Sequence, residues 1–375
     1  MVKVGKGQAK SLQRSLEDAA QAAEAPQLIL FFSRLGTLEE ATAFLSSRFP
    51  HIPVIGFCSI GVVCDDLVDE PDILLLSFEE EYQIVCGLIR DIGECPVQHI
   101  YQFHQDVESV GAGDEDTVCY ECCTGNEEEM LVTTLNAVLD KYRIPLIGAS
   151  VFEGMERLRK TRLSYCGEIY EDACAYALIR CKHGKVRTYY ENIYMRTELT
   201  FHQVTKVDVE SHSIMEIDGR PAADVYCDVV QIPKKEIISV SQRYPLGRVI
   251  GTEVFVSGIS RVMEDGALAC YKRINPNDAI CFMDYGRYRE VAMETIERIQ
   301  KENEDIYFTL TNECIFRYWL YTNENFLEEH ARNLSRLGGH AGVYCGGEQY
   351  HHQHVNQAMV MAVFSHGKGG RIAHE

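Results

Sequence analysis

The stretch GVYCGGEQYHHQHVNQAMVMAVF, from Gly342 to Phe364, gathers residue types that bind and catalyse: Glu348, histidines at 351, 352 and 354, and the amides Asn356 and Gln357. Two imidazoles at this spacing can meet one metal ion with Glu348 as a third ligand, but zinc sites ordinarily close with three or four protein ligands in a fixed arrangement. Solvated loop histidines are the simpler reading. A second stretch, GFCSIG, carries Cys58 and Ser59. Ser59 is not a nucleophile-elbow serine, because that turn needs glycine two residues earlier and Phe57 stands there. A thiolate at Cys58 would need a histidine delivered by the fold. Gly56, Ser59 and Gly61 make either a tight strand-to-loop turn or a turn whose amides and hydroxyl face a small polar ligand. Cys119, Cys122 and Cys123 suggest a metal or redox pair, yet alternation along a strand sends Cys119 and Cys122 to opposite faces, so structural thiols explain them better. The dinucleotide fingerprint and the P-loop pattern are both absent.

These residues need elements to hold them. The segments VKVGKG, QLILFFS and PVIGFCS read as strands, with helices between them carrying Leu12, Leu16 and Ala19 and then Leu38, Ala41 and Leu45 on one face. Thr37 and Glu40 have the spacing of a capping box. Strand and helix alternating with short connections predicts a parallel unit, which puts GFCSIG at a strand end where ligands commonly sit. DILLLSF and the alternating segment from Tyr82 to Leu88 predict a hairpin-type addition to that sheet. TVCYECCT leads through Thr124 and Gly125 to a helix capped at Asn126, and then to PLIGAS, placing Gly148 and Ser150 at another strand end. Residues 162–209 read as four successive strands of an antiparallel meander. Asp218-Gly219 and Asp265-Gly266 are turn signals, and the second half adds strands at DAICFMD, DIYFTL, GHAGVYC and AMVMAVF with a helix whose stripe is Tyr288, Ala292, Ile296 and Ile299. The expected fold is therefore mixed α/β, with parallel and antiparallel strands flanked by helices. YCGEIY at 165–170 echoes YCGGEQY at 344–350, as chance or as related turns.

Composition narrows the function classes. With 36 basic against 56 acidic residues the formal charge is −20, which repels nucleic-acid phosphates and anionic membranes. No leader-like start and no apolar run of about 18 residues is present, so a cytoplasmic protein is expected. Fifteen cysteines then read as reduced thiols. Twenty tyrosines, densest in VRTYYENIYM, suit cross-strand packing better than an aromatic cage. A length of 375 residues predicts two domains, 1–210 and 211–375.

In order and spacing, VKVGKGQAKSLQRSLEDAAQAA, IGFCSIGVV and IPLIGASVFEG resemble the N-terminal region of the FIST proteins. YPLGRVIG, EDGALACYKRINPNDAICFM and GGEQY…VNQAMVMAVF resemble the C-terminal region. The resemblance implies an intracellular sensory module that binds a small ligand, amino acids among the candidates, and signals to an output domain or partner; it does not imply an enzyme. It departs at Val355-Asn356-Gln357-Ala358, where the family has His-Asn-Gln-Thr: the two amides are kept, the imidazole and hydroxyl are not. A kinase, cyclase or chemoreceptor segment is not fused here, so output is expected through a histidine kinase, cyclase or chemoreceptor in trans. No cofactor is expected; haem is the alternative, since some family members bind it and sense nitric oxide, although no Cys-x-x-Cys-His attachment exists. The expected pocket is built from Gly56, Cys58, Ser59, Gly61, Thr124, Gly148 and Ser150, or from Glu348 with Asn356 and Gln357, which could clamp an ammonium and an amide or carboxylate. The rival reading is a hydrolase or transferase using Cys58.

Overall fold

The computed structural model describes residues 1–65, 67–68, 71–113, 115–125, 127–154 and 161–366. It has a mixed α/β fold in two compact units. Unit 1 takes Met1–Tyr190, Glu294–His352 and the stretch from Met359; unit 2 takes Glu191–Met293 and Gln353–Ala358. The units are thus discontinuous in sequence, unlike the consecutive halves expected to meet near 210. The strand Met359–Ser365 pairs antiparallel with Ile306–Cys314 inside unit 1, and this pairing draws the end of the chain back.

In unit 1 the first sheet runs Val2–Gly7, Ile73–Phe78, Leu28–Arg34, Val54–Ser59, Leu163–Tyr165, Glu168–Tyr170. Leu28–Arg34 and Val54–Ser59 are parallel, as βαβ connection through a helix requires. The helices Leu12–Ala20 and Leu38–Arg48 bury Leu16, Ala19, Leu38, Ala41 and Leu45 against Phe31, Cys58 and Leu75. Ile73–Phe78 is fully buried and lies in the middle, antiparallel to both neighbours. The hairpin expected here does not form: the next strand, Tyr82–Arg90, pairs with Ala173–Cys181 in another sheet. Thr37 stands at the helix N-cap without capping, because its hydroxyl donates to the Arg34 carbonyl instead (2.6 Å).

The second sheet sets Gly347–Tyr350, Leu146–Val151, Thr117–Thr124, Ala173–Cys181 and Tyr82–Arg90 side by side. Its central pair, Thr117–Thr124 with Leu146–Val151, is parallel around the helix Glu128–Tyr142. Cys119 and Cys123 pack on the helical side with Leu131, Leu135 and Phe103. The Asn126 cap lies outside the described residues. The third sheet contains Met359–Ser365, Ile306–Cys314, Gly339–Cys345 and Val62–Cys64, with Ile306–Cys314 and Gly339–Cys345 parallel.

Unit 2 is built on one antiparallel sheet, Glu253–Ser257, Leu246–Ile250, Ala279–Asp284, His202–Asp208, Ser213–Ile217, Leu268–Cys270, Ile259–Val262. Ala223, Tyr226 and Ile237 from its helices cover Val204, Ile214, Leu268 and Phe282. The meander expected over 162–209 is not found. Its strands are distributed among different sheets, because alternation fixes which side chains are buried and leaves the partner strand open. The echoed motifs differ too. Cys166 and Gly167 take φ of +49° and +91° in a two-residue hairpin turn, whereas Cys345 and Gly346 join two strands without a positive φ.

Candidate functional site

The residues expected at strand ends in unit 1 are largely occupied by neighbouring strands, and Gly56 and Gly148 lie within their strands and not at the ends. Gly56 is where Phe31 crosses: a Cβ there would fall 2.4 Å from both the Phe31 ring and its carbonyl oxygen. Cys58 is 2% exposed, and its Sγ lies 3.4 Å from the Ser33 hydroxyl. Ser59 donates to the Tyr344 carbonyl (2.6 Å) and accepts from the Gly61 amide (3.2 Å), so its hydroxyl ties this turn to the strand Gly339–Cys345. Thr124 accepts from the Ala173 amide (2.9 Å), and the Gly125 amide donates to Thr161 (3.2 Å).

Gly148, Ser150 and Glu348 do meet in the second sheet, with one change of face. Glu348 pairs with Ala149, so it points away from the side on which Gly148 and Ser150 stand. Its neighbour Gln349 shares that side and donates to the Ser150 hydroxyl (2.8 Å), which donates to Glu128 (2.8 Å). Glu121 stands in the same row. A Cβ on Gly148 would lie 2.1 Å from Glu121 Oε1 and 2.8 Å from Gln349 Oε1, so glycine leaves the space into which the two oxygens converge. Glu121 accepts from the Cys174 thiol at 3.4 Å, and its Oε1 is buried without a hydrogen-bond partner. Burial pushes this carboxyl up to about 8; the Cys174 contact opposes the rise and the Glu128 charge adds to it. Glu348, also fully buried, accepts from the Cys345 thiol (3.5 Å) on a strand rather than being offered by a flexible glycine turn.

Unit 1 holds a second buried carboxylate on its third sheet. Glu313 Oε1 lies 2.8 Å from Arg317 Nε and 3.1 Å from His330 Nε2, with Arg317 also donating to the Tyr321 hydroxyl (2.8 Å). Burial raises the Glu313 carboxyl, but the His330 and Arg317 charges outweigh it and the net direction is down. Burial drives the nearby His340 imidazole down to about 4, and its Nε2 pairs with Thr311 (3.0 Å).

Asn356 and Gln357 belong to unit 2 and form a cluster there. Asn356 Oδ1 accepts from the Gly258 amide (3.4 Å) while its Nδ2 faces His354 Nε2 (3.3 Å). Lys272, 2% exposed, donates to the His354 carbonyl (3.2 Å). Gln357 takes φ of +56°, lays its amide over Gly258, and leaves Oε1 buried with no hydrogen-bond partner. Tyr271, which is exposed, packs beside the Gln357 amide over Gly258. An ammonium, two amides and an imidazole thus converge, a set that recognises a carboxylate and a hydrogen-bonding group beside it. The amides and His354 were legible in the sequence; Lys272 and Gly258 were not, since their only relation to 356–357 is spatial. Glu121 carried a usable signal, a charge inside an otherwise apolar strand.

The histidines of the opening motif diverge. His351 Nε2 meets the Thr188 hydroxyl (2.9 Å), His352 faces Asp140 (3.4 Å), and His354 belongs to the unit 2 cluster. Among the described residues no group of three or more His, Cys, Asp or Glu side chains could hold a metal ion. A haem needs an imidazole nitrogen facing an apolar slot. His351 borders a cavity, but its Nε2 is engaged and the walls include Glu115, Arg187 and Glu302. Those residues do not fit the group.

The family comparison places the FIST N domain on residues 27–220 and the FIST C domain on 222–351. The chain belongs to the FIST family. FIST domains are associated with signal transduction through the sensing of small ligands, and this FIST chain carries both parts in order. No curated protein matches it. Among the described residues no helix is long and apolar enough to cross a membrane.

Proposed function

We propose that this FIST protein is a cytoplasmic sensor of a small polar metabolite, an amino acid or a close relative, and that it passes occupancy to an output partner such as a histidine kinase, a cyclase or a chemoreceptor. The observation that carries the reading is the unit 2 cluster. Lys272 places a buried ammonium on the His354 carbonyl, two residues before Asn356, and the Gln357 amide oxygen has no hydrogen-bond partner among the described residues. A buried polar group costs about 1–3 kcal/mol when unpaired, so a ligand that supplies a donor to the Gln357 oxygen gains that much, and a carboxylate on it adds a charge-assisted contact to the Lys272 ammonium. Exposed Tyr271 beside Gly258 supports a route in from solvent. The thiols support a reducing compartment: none of the fifteen cysteines, all among the described residues, is in a disulfide.

The test is thermal unfolding against a panel of amino acids and related carboxylates. A cognate ligand at about 100 times its Kd raises stability by about 2.7 kcal/mol. Gln357→Ala and Lys272→Met each weaken that response at least tenfold, or about 1.4 kcal/mol. A panel without any response, or a response untouched by both substitutions, overturns the assignment.

A further inference from the structure

The cavity that His351 borders lies wholly in unit 1 and shares no residue with the unit 2 cluster. It is a surface cleft of about 650 Å³, within the range of small-molecule pockets. Its walls come from Ala112, Gly113 and Glu115, the end of the helix Glu128–Tyr142, the strand Lys185–Glu191, the end of the helix Tyr288–Glu302, and the turn after the strand Gly347–Tyr350. Three tyrosines, Tyr142, Tyr189 and Tyr350, give it aromatic surface. Tyr350 is held by stacking on Tyr190, with centroids 5.5 Å apart and planes at 28°. The Thr188 hydroxyl and His351 imidazole supply a fixed polar pair at 2.9 Å.

The charges of the cleft divide into satisfied and available ones. Glu115 is paired with Lys185 (2.6 Å) and Arg187 (3.1 Å), and Arg187 also donates to the Glu302 carbonyl. The Arg143 side chain, exposed in the left-handed turn that ends the helix (φ +54°), has no ion pair or hydrogen bond among the described residues, while its backbone amide donates to the Asp140 carbonyl (3.2 Å). Its guanidinium offers a planar two-pronged donor to an anion. One available guanidinium on a chain of net charge −20 favours a monoanion over a dianion, which the surrounding field repels. We propose that this cleft binds an aromatic carboxylate, with the ring against the tyrosines and the carboxylate on Arg143.

The proposal stands on unit 1 alone and does not depend on the sensor reading. Calorimetric titration of the full chain with indole-3-acetate tests it, alongside two altered probes: indole-3-acetamide, which lacks the charge, and cyclohexylacetate, which lacks the aromatic ring. Saturable binding of indole-3-acetate is expected, at least about tenfold weaker for each altered probe. Arg143→Gln is expected to weaken indole-3-acetate at least about tenfold while leaving the melting temperature in place, since the side chain is exposed. Absence of saturable binding by both indole-3-acetate and 4-hydroxybenzoate overturns the proposal. Equal affinity for acid and amide overturns it as well, as does binding indifferent to Arg143→Gln.

Discussion

Glu121 and Glu313 are two fully buried glutamates on central strands of unit 1, and their carboxyls move in opposite directions. Around Glu121 stand the Cys174 thiol, the amide of Gln349 and a second carboxyl, Glu128; among the described residues no cation compensates for lost hydration, and the acid is mostly protonated at neutral pH. Around Glu313 stand a guanidinium and an imidazole within 3.2 Å, and the carboxylate keeps its charge despite equal burial. Burial therefore does not decide ionisation. The neighbours brought by the fold do.

The contrast can be broken most forcefully at Arg317. Arg317→Met strands the Glu313 charge beside His330 alone and is expected to cost about 3–5 kcal/mol in denaturant unfolding, most of it regained in the Glu313→Gln, Arg317→Met double variant. A single variant as stable as the parent would show that the pair does not hold the charge. The second test reads Glu121 through pH. The unfolded carboxyl loses its proton near 4.5 and the folded one near 8, so between these values the native state binds more protons and rising pH favours unfolding. The contribution is fully present below 4.5 and lost as pH passes about 8, at a slope on the order of 1.4 kcal/mol per pH unit. Glu121→Gln should remove that slope; an unchanged profile would place the ionisation elsewhere. The smallest effect concerns the glycine beneath the acid. Gly148→Ala is expected to destabilise by about 1–3 kcal/mol through overpacking. The loss should shrink in a Glu121→Ala background, because the clash is with Glu121 Oε1, and equal losses in both backgrounds would shift it to the Gln349 oxygen.

Local pattern made the strands readable. Mostly apolar runs such as DILLLSF and AMVMAVF formed buried strands, and the spacing of Leu38, Ala41 and Leu45 formed a helix face. The candidate site was legible only in part. Asn356 and Gln357 were named from sequence and fall in one buried cluster, while Lys272 enters it from more than eighty residues away with no local sign. Glu348 was named where Gln349 joins Ser150, a one-residue difference that a period of two converts into opposite faces of the sheet.

By itself the sequence determined the mixed α/β character, the strand that carries Gly148 and Ser150, and the order of parts by which the family is recognised. Those properties depend on side-chain periodicity and on turn residues, which act over a few positions of the chain. Tertiary structure alone decided that Ile73–Phe78 lies between Val2–Gly7 and Leu28–Arg34, and that Met359–Ser365 returns to unit 1. It also decided that Glu121 meets thiols while Glu313 meets Arg317 and His330. Strand partners and charge environments are set by contacts between distant segments, and a strand's own alternation satisfies many such partners equally well.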